Sequence, residues 1–233
     1  MRGNYAEFLL VLGLLSIGTT LGSDLNVQKY SEVRCKPDER KALLKFNQGL
    51  GYPLDSWNSE EDCCKWEAIE CSEQTGHVVK LDLSQRGCDI LVSSSLLELQ
   101  HLTYLDLSGN RFVAGNFLAF IGSLTNLQYL NLSGTNLNGT IPQNLRNLSS
   151  LFSLDLSLNL LAELRNLDWL PNLSWLRHLD LSGVNLSQAV NWPSQVDMLP
   201  SLLDLHLRGC GLSMPQISSA ISPANFTSPL SIP

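Results

Sequence analysis

Six cysteines are the residues of this chain whose type and spacing best suit covalent chemistry. Cys35, Cys63, Cys64 and Cys71 fall in one short N-terminal segment. Six cysteines allow fifteen pairings, and adjacent Cys63 and Cys64 are poorly placed to bond each other. We expect two disulfides here, because the segment is tight and the export features described below imply an oxidising compartment. The predicted pairs are Cys35–Cys63 and Cys64–Cys71. Zinc is the competing explanation, but the segment has no C-x-x-C pair and His77 stands alone nearby.

Cys88 and Cys210 are predicted to be buried free thiols. They lie five repeats apart in the pattern described below, which at roughly 4.8 Å per stacked strand is on the order of 24 Å. A disulfide needs Cα atoms within about 7 Å of each other, so these two cysteines cannot bond together. Cys88 takes a leucine position of its repeat and Cys210 an asparagine position.

A catalytic triad could be drawn from His101, Asp106 and Ser108. The tripeptide Asp-Leu-Ser occurs three more times along the chain, however. A tripeptide that is repeated in this way indicates a structural role rather than a catalytic one. The sequence also contains no H-E-x-x-H, no glycine-rich phosphate loop and no kinase signature. We therefore predict a protein that is not an enzyme and uses neither a cofactor nor a metal ion.

The elements that must position these residues are set by a recurring tripeptide, Leu-Asp-Leu or a variant of it. Each occurrence ends the frame L-x-x-L-x-x-L-x-L, and a period of 24 to 26 residues with this frame marks a leucine-rich repeat. One repeat cannot bury its own leucines, so the repeats must stack. The sequence predicts an α/β leucine-rich-repeat solenoid with about six repeats in residues 77–215. Their first leucines are Leu81, Leu105, Leu130, Leu154, Leu179 and Leu205.

A concave parallel β-sheet is the predicted recognition surface. Strand side chains alternate, so the leucines of each L-x-L face the interior and the residues between and before them face outward. Neighbouring strands lie about 4.8 Å apart, so Tyr104 and Tyr129 should stack side by side. Tyrosine and arginine are favoured at interfaces, although parallel strands also favour aromatic residues for structural reasons. The candidate ligand-binding residues are Lys80, Tyr104, Tyr129, Phe152, Arg177, His178 and Asp204.

One position per repeat is expected to hold a buried asparagine that bonds to neighbouring loop backbones. Only two of the six repeats have asparagine there, so this ladder is degenerate. The six residues are Arg86, Asn110, Thr135, Asn159, Val184 and Cys210.

The remaining segments divide into an export signal, a cap and a tail. Residues 1–22 resemble a secretory signal peptide, with a ten-residue apolar stretch that is too short for a spanning helix; a short uncleaved anchor is the alternative. Residues 23–76 are predicted to form an N-terminal cap, with a helix that begins at Pro37 and presents Leu43, Phe46 and Leu50. Residues 216–233 are rich in Ser and Pro and are predicted to be disordered, which leaves no C-terminal cap.

The net charge and the glycosylation motifs restrict which classes of partner the chain can have. A net charge of −7 without any run of Lys or Arg argues against nucleic acid. No apolar run of membrane length follows the first stretch. Asn131 is the middle residue of its L-x-L, so a glycan there would stand on the concave face. The N-x-S/T motifs that favour an exported glycoprotein are at Asn131, Asn138, Asn147, Asn172, Asn185 and Asn225.

Several motifs together resemble a known family. The cap contains CCxWxxIxC at 63–71 and GHVVxLDLS at 76–84, which look like the N-terminal cap of plant leucine-rich-repeat proteins. HLDLSGVNL at 178–186, MLPSL at 198–202 and GCGLS at 209–213 narrow the resemblance. The chain resembles the N-terminal part of plant receptor-like proteins of the ethylene-inducing-xylanase-receptor type, and its repeats are then plant-type repeats. One departure is Ala68, where this cap usually has glycine; a positive φ there would strain an alanine.

The resemblance implies a function. Such proteins are cell-surface immune receptors without a kinase, longer than this chain, with more repeats, a C-terminal cap, one membrane helix and a short cytosolic tail. It implies non-enzymatic extracellular recognition of microbial or peptide signals in defence, with a protein or peptide ligand and a membrane receptor kinase as co-receptor. The chain as written would be secreted to the apoplast, and a full-length gene continuing to a membrane helix would place it in the plasma membrane.

Two other functions remain open from the sequence. One is a secreted inhibitor of a microbial hydrolase, similar to the polygalacturonase-inhibiting proteins, which usually have more repeats and a C-terminal disulfide cap. The other is a truncated, non-functional receptor fragment.

Overall fold

The computed structural model describes residues 34–58, 60–91, 93–114, 117–162 and 164–212. The predicted signal peptide, the first residues of the predicted cap and the predicted tail lie outside the described residues, and so does Asn225. Within the described ranges, no helix has the length and apolar character needed to cross a membrane.

One seven-stranded sheet runs through the repeats, in the order β1-β2-β4-β6-β8-β10-β11. Strand β1 pairs antiparallel with β2, and all the other pairs of this sheet are parallel. Two further parallel pairs, β3-β5 and β7-β9, form small sheets after the turns. The strands are β1 (Ile69–Cys71), β2 (Val78–Asp82), β3 (Asp89–Leu91), β4 (Tyr104–Asp106), β5 (Arg111–Ala114), β6 (Tyr129–Asn131), β7 (Asn138–Gly139), β8 (Ser153–Asp155), β9 (Leu160–Leu161), β10 (His178–Asp180) and β11 (Asp204–His206).

The register of the large sheet aligns the repeats leucine on leucine. Leu105 of β4 pairs with Leu81 on one side and Leu130 on the other. All three side chains are fully buried, while the residues beside them on the strands reach the opposite face. Because each repeat contributes its leucines to one shared interior, the predicted solenoid with an outward-facing parallel sheet is confirmed.

In each of the first five repeats, a short helix follows the strand of the large sheet and leads to the next one. Strands β4 and β6, for example, are joined through α2 (Leu118–Ile121), and α3 (Trp192–Asp197) stands between β10 and β11. The other repeats use 3-10 helices, whose tighter turn suits such short pieces. These are Ser94–Glu98, Gln143–Asn147 and Leu170–Asn172, and the cap adds Asp55–Asn58 and Cys63–Lys65.

A buried asparagine ties the third and fourth repeats together. Asn159 Nδ2 donates to the carbonyl oxygens of Leu132 and Leu156 at 2.7 and 3.0 Å. Its Oδ1 accepts from the backbone N–H groups of Thr135 and Leu137 at 3.1 and 2.9 Å. One amide therefore satisfies backbone groups of two repeats that would otherwise be buried without partners.

The equivalent position varies in the other repeats, as the sequence indicates. Asn110 donates to the carbonyl oxygen of Leu83 at 2.7 Å and accepts from the N–H group of Cys88 at 3.2 Å. Val184 is fully buried. The Cys210 thiol donates to a backbone carbonyl oxygen of the preceding repeat at 3.1 Å. A small buried side chain therefore suffices here, and asparagine adds the cross-repeat hydrogen bonds.

The cap is a helix held by two disulfides. Helix α1 (Pro37–Asn47) starts with proline and two acidic residues, which suit a helix N-terminus. Leu43 and Phe46 are buried, but Leu50 lies beyond the helix end and forms a bridge with Ile90. The rings of Trp57 and Trp66 stack at 5.7 Å and fill the space under the helix.

The structure pairs the cap cysteines as Cys35–Cys63 and Cys64–Cys71, with Cα separations of 5.6 and 5.4 Å. These are the predicted pairs, and they leave no thiolate of this group for zinc. Asp62 lies beside the sulfur atoms, but its Oδ1 accepts from two backbone N–H groups of the cap. Cys88 and Cys210 are buried and unpaired, as expected from their separation.

Ala68 adopts the left-handed backbone conformation that is expected at a position where caps of this kind usually have glycine. Its φ is 68°, a region that costs a residue with a Cβ atom. The turn is needed because the Ala68 carbonyl oxygen accepts from the N–H group of Asp82 at 3.0 Å, beside the pairing of β1 with β2. The predicted strain at this position is therefore present.

Candidate functional site

The outward face of the large sheet carries an in-register column of side chains, one from each repeat. The residue before each L-x-L pairs with its counterpart on the next strand. Tyr104 and Tyr129 stack as predicted, with ring centroids 4.2 Å apart and planes 1° from parallel. The Lys80 ammonium lies 4.9 Å from the centroid of the Tyr104 ring, a cation–π contact. The complete column is Lys80, Tyr104, Tyr129, Ser153, His178 and Asp204.

This packing raises the pKa values of both tyrosines. Burial, and secondly the neighbouring Tyr129 and nearby carboxylates, raise the pKa of Tyr104 well above its usual range. Burial also raises the pKa of Tyr129. Burial therefore disfavours the ionised form of both hydroxyls. The Tyr129 hydroxyl donates its proton to Asp106 Oδ2 at 3.3 Å, so toward a ligand it can act only as an acceptor. The pair forms a rigid, half-buried aromatic plate with polar edges, a surface that suits protein contacts.

The middle residue of each L-x-L forms a second column, and it has a structural role. The Oδ1 atom of each of the first five accepts a hydrogen bond from the serine N–H group two residues later, at 2.8 to 3.3 Å. This contact closes the turn after the strand. The column is Asp82, Asp106, Asn131, Asp155, Asp180 and His206.

The structure does not assemble the triad considered from the sequence. Asp106 is buried and bonds to Ser108 N–H, to the Tyr129 hydroxyl and to the Asn131 amide. The His101 ring instead stacks on the His77 ring, with centroids 3.7 Å apart. The recurrent Asp-Leu-Ser is therefore a turn motif, as the repetition indicates.

Asn131 differs from the other described glycosylation motifs. Its Nδ2 atom, to which a glycan would attach, donates to Asp106 Oδ2 at 3.2 Å and to the Tyr129 hydroxyl at 3.4 Å. Its Oδ1 accepts from Ser133. Glycosylation at this site would require these contacts to break. The exposed sites within the described ranges are Asn138, Asn147, Asn172 and Asn185.

Phe152 and Arg177 are separated from the tyrosine column. They precede it by one residue and lie along the rim of the sheet, where with Ser150 and Trp175 they line an open cleft of about 330 Å³. The Trp175 side chain is 65% exposed, and the sequence analysis missed it. The signal was available, because Trp175 falls on a polar position of the frame between Leu173 and Leu176, where an aromatic residue must face solvent. The candidate ligand-binding residues therefore lie on two surfaces, the column that contains the tyrosines and this rim cleft.

At the other end of the column, histidine and aspartate pair across two strands. His178 Nδ1 lies 2.5 Å from Asp204 Oδ2, and His206 Nδ1 lies 3.3 Å from Asp180 Oδ2. The next strand adds Asp155, whose pKa is raised, mainly by burial and also by the charge of Asp180. Along the first column, the face therefore changes from Lys80 and two tyrosines at β2 to β6 to a histidine and an aspartate at β10 and β11, while carboxylates of the second column lie along most of its length.

Comparison with known proteins supports this architecture. A leucine rich repeat N-terminal domain matches residues 36–72, and leucine rich repeats match residues 101–124 and 126–148. The chain is 51% identical over 226 residues to the receptor-like protein EIX2 of Solanum lycopersicum, covering 91% of this chain and 22% of that protein. It is 43% identical over 227 residues to EIX1 of the same plant, covering 89% of this chain and 21% of that protein. The chain is therefore similar to part of two leucine-rich-repeat receptor-like proteins.

The chain spans about a fifth of the length of the two tomato relatives. Solved structures share its fold. The ectodomain of the receptor kinase SOBIR1 from Arabidopsis thaliana is 25% identical, with a TM-score of 0.58, covering 77% of this chain and 97% of that one. A plant ice-binding protein is 27% identical, with a TM-score of 0.56, covering 76% of this chain and 57% of that one.

Proposed function

We propose that this chain is the non-enzymatic, extracellular recognition domain of a plant receptor-like protein that perceives microbial or peptide signals in defence. The observation that carries the proposal is the tyrosine plate on the outward face of the parallel sheet. The rings of Tyr104 and Tyr129 stack with parallel planes on neighbouring strands, and Lys80 extends the plate at one end. The relatives are themselves named receptor-like proteins, which supports the same role here.

The ligand in this proposal is a protein or a peptide that lies across the strands. The plate is already ordered by stacking, so binding costs little side-chain entropy. The Tyr129 hydroxyl, whose proton is donated to Asp106, can accept a hydrogen bond from an N–H group of an extended segment. The carboxylates at the far end of the face would favour a segment with a basic residue there. A membrane receptor kinase would act as co-receptor, and neither nucleic acid nor a cofactor is involved.

The proposal also includes the organisation of the chain. Residues 1–22 would direct export, residues 23–76 would cap the solenoid and residues 77–215 would carry recognition, with 216–233 as a disordered tail. The protein would reach the apoplast, or the plasma membrane if the full-length gene continues to a membrane helix. Glycans would occupy several of the six motifs, with Asn131 the least accessible because its amide is engaged.

A capture experiment with matched tyrosine variants tests this function. The chain, secreted from plant cells, would be cross-linked to apoplastic and membrane fractions, and bound proteins and peptides identified. Tyr129→Ala should weaken the captured complex by about 2 kcal/mol, roughly thirtyfold, because it removes half of the plate. Tyr52→Ala is the control, since Tyr52 is 77% exposed on the cap, outside the large sheet.

Three results would count against the proposal. A complex that tolerates Tyr129→Ala but not Tyr52→Ala would place recognition outside the sheet. A secreted microbial hydrolase, captured through the same face and inhibited, would favour the inhibitor function. Failure of the secreted chain to bind any partner while folding normally would favour a non-functional fragment.

A further inference from the structure

Strands β10 and β11 each present a histidine and an aspartate to the outward face, in opposite order. The register pairs His178 with Asp204 and Asp180 with His206. Residues two apart on a strand share a face, and paired strands are about 4.8 Å apart. The four side chains therefore occupy the corners of one small patch, with imidazole and carboxylate alternating around it.

Contacts within the patch show that these side chains are close and accessible. His178 Nδ1 is 2.5 Å from Asp204 Oδ2, and His206 Nδ1 is 3.3 Å from Asp180 Oδ2. Both histidine side chains are 49% exposed, so an ion in solution can reach their ring nitrogens. The Asp180 Oδ1 atom is held by the Ser182 N–H group at 2.8 Å, which fixes that carboxylate and leaves its other oxygen turned toward His206.

The charges around the patch favour a cation. Three carboxylates, those of Asp155, Asp180 and Asp204, lie on three adjacent strands of the same face. Asp155 pairs directly with Asp180 in the register, so these two carboxylates are neighbours on the face. The nearby Arg177 lines the rim cleft together with Phe152 and Trp175.

We propose that His178, Asp180, Asp204 and His206 form a binding site for a divalent transition-metal ion of the zinc class. Imidazole nitrogens and carboxylate oxygens are ligands that zinc prefers, whereas magnesium and calcium select oxygen ligands alone. The donors now point at each other in pairs, so binding requires rotation of half-exposed side chains toward a common centre. An ion then replaces two nitrogen–oxygen contacts with coordination bonds.

A metal ion at this patch would have a defined electrostatic effect. Its charge would offset those of Asp180 and Asp204. It would also join β10 to β11 by side-chain ligands, in addition to the backbone ladder. The site shares His178 and Asp204 with the proposed recognition face, but it lies at the opposite end of the column from the tyrosine plate, so metal binding can be measured without the proposed ligand.

Because the chain contains four histidines, each of them can be followed or replaced separately to test the site. The secreted chain, carrying no polyhistidine tag, would be titrated with Zn²⁺ by calorimetry and with Co²⁺ by visible absorption. We expect saturable binding of one ion per chain, with His178→Ala and His206→Ala each weakening it by more than about tenfold. His101→Ala is the matched control, because it removes a histidine from the other pair, the His77–His101 stack, and should leave binding unchanged.

Nuclear magnetic resonance of the histidine rings gives a second readout on the unaltered fold. Zn²⁺ should shift the ring signals of His178 and His206 and leave those of His77 and His101 in place. Asp180→Asn, a nearly isosteric change, should weaken binding in the same way without disturbing the sheet. The proposal is overturned by the absence of saturable binding, by equal binding of Mg²⁺, or by loss of binding in His101→Ala with retention in His206→Ala.

Discussion

Replacing Asn159 by valine should destabilise the solenoid by about 4 kcal/mol. Size is not the obstacle, because valine occupies the equivalent position at Val184 and is fully buried there. The cost comes from the N–H groups of Thr135 and Leu137, which donate to Asn159 Oδ1. Leaving a buried donor without a partner costs about 1–3 kcal/mol, so two such groups give roughly this total.

The second asparagine provides a graded control for this prediction. Asn110 Oδ1 accepts from one backbone N–H group, that of Cys88, where Asn159 accepts from two. Asn110→Val should therefore cost about half as much, roughly 2 kcal/mol. An exposed change at Asn172, such as Asn172→Ala, should stay within about 0.5 kcal/mol of the parent.

Urea and thermal unfolding, followed by circular dichroism, measure these differences. For a domain of this size a loss of 4 kcal/mol corresponds to a fall in Tm of about 8–16 °C. Repeat proteins can unfold locally, so hydrogen exchange at the Thr135 and Leu137 amides should accelerate more than exchange in the cap. The reasoning fails if Asn159→Val unfolds within about 1 kcal/mol of the parent, or if Asn110→Val is the more damaging change.

Three further predictions follow from other parts of the structure. Asp155→Asn should raise the free energy of unfolding at neutral pH, because burial raises the pKa of this carboxyl and so disfavours its ionised form in the fold; Asn131 shows that an amide still closes the turn. The parent should therefore gain stability as the pH falls toward the usual carboxyl pKa of 3.8, and the variant should lack this gain in pH-dependent unfolding. Burial raises the pKa of Cys210 to about 11, so iodoacetamide at neutral pH should label it, by mass spectrometry, only after unfolding. Ala68→Gly should stabilise the cap by roughly 1 kcal/mol in thermal unfolding, since glycine adopts a positive φ without strain; no gain would show that the turn is relaxed.

The sequence predicted the repeat geometry well because one rule governs it. Leucines two residues apart must share a face of a strand, so the spacing alone placed Leu105 inside and Tyr104 outside. The stacking of Tyr104 on Tyr129 followed from strand spacing. The left-handed turn at Ala68 was predictable from the resemblance, because the position belongs to a family pattern and not to the period.

The remaining features of the candidate site could not be predicted from the repeat period. Phe152 and Arg177 were grouped with the tyrosines although they stand one residue earlier, where the chain is entering the strand and turns its side chains toward the rim. Trp175 lies outside the L-x-L frame, so the search for outward strand positions passed over it. His206 was considered only as a variant of the repeat, because its pairing with Asp180 appears only when the two strands are placed in register.

The antiparallel strand β1 limits where the solenoid can gain repeats. Strand β1 occupies the free edge of β2, and the disulfide-bonded cap to which it belongs closes this end of the sheet to further repeats. New repeats can be inserted only between existing parallel strands or beyond β11. Each insertion would lengthen the outward face by one strand spacing, about 4.8 Å, and leave the cap unchanged. Solenoids built on this plan can therefore differ in length while keeping the same disulfide-bonded cap.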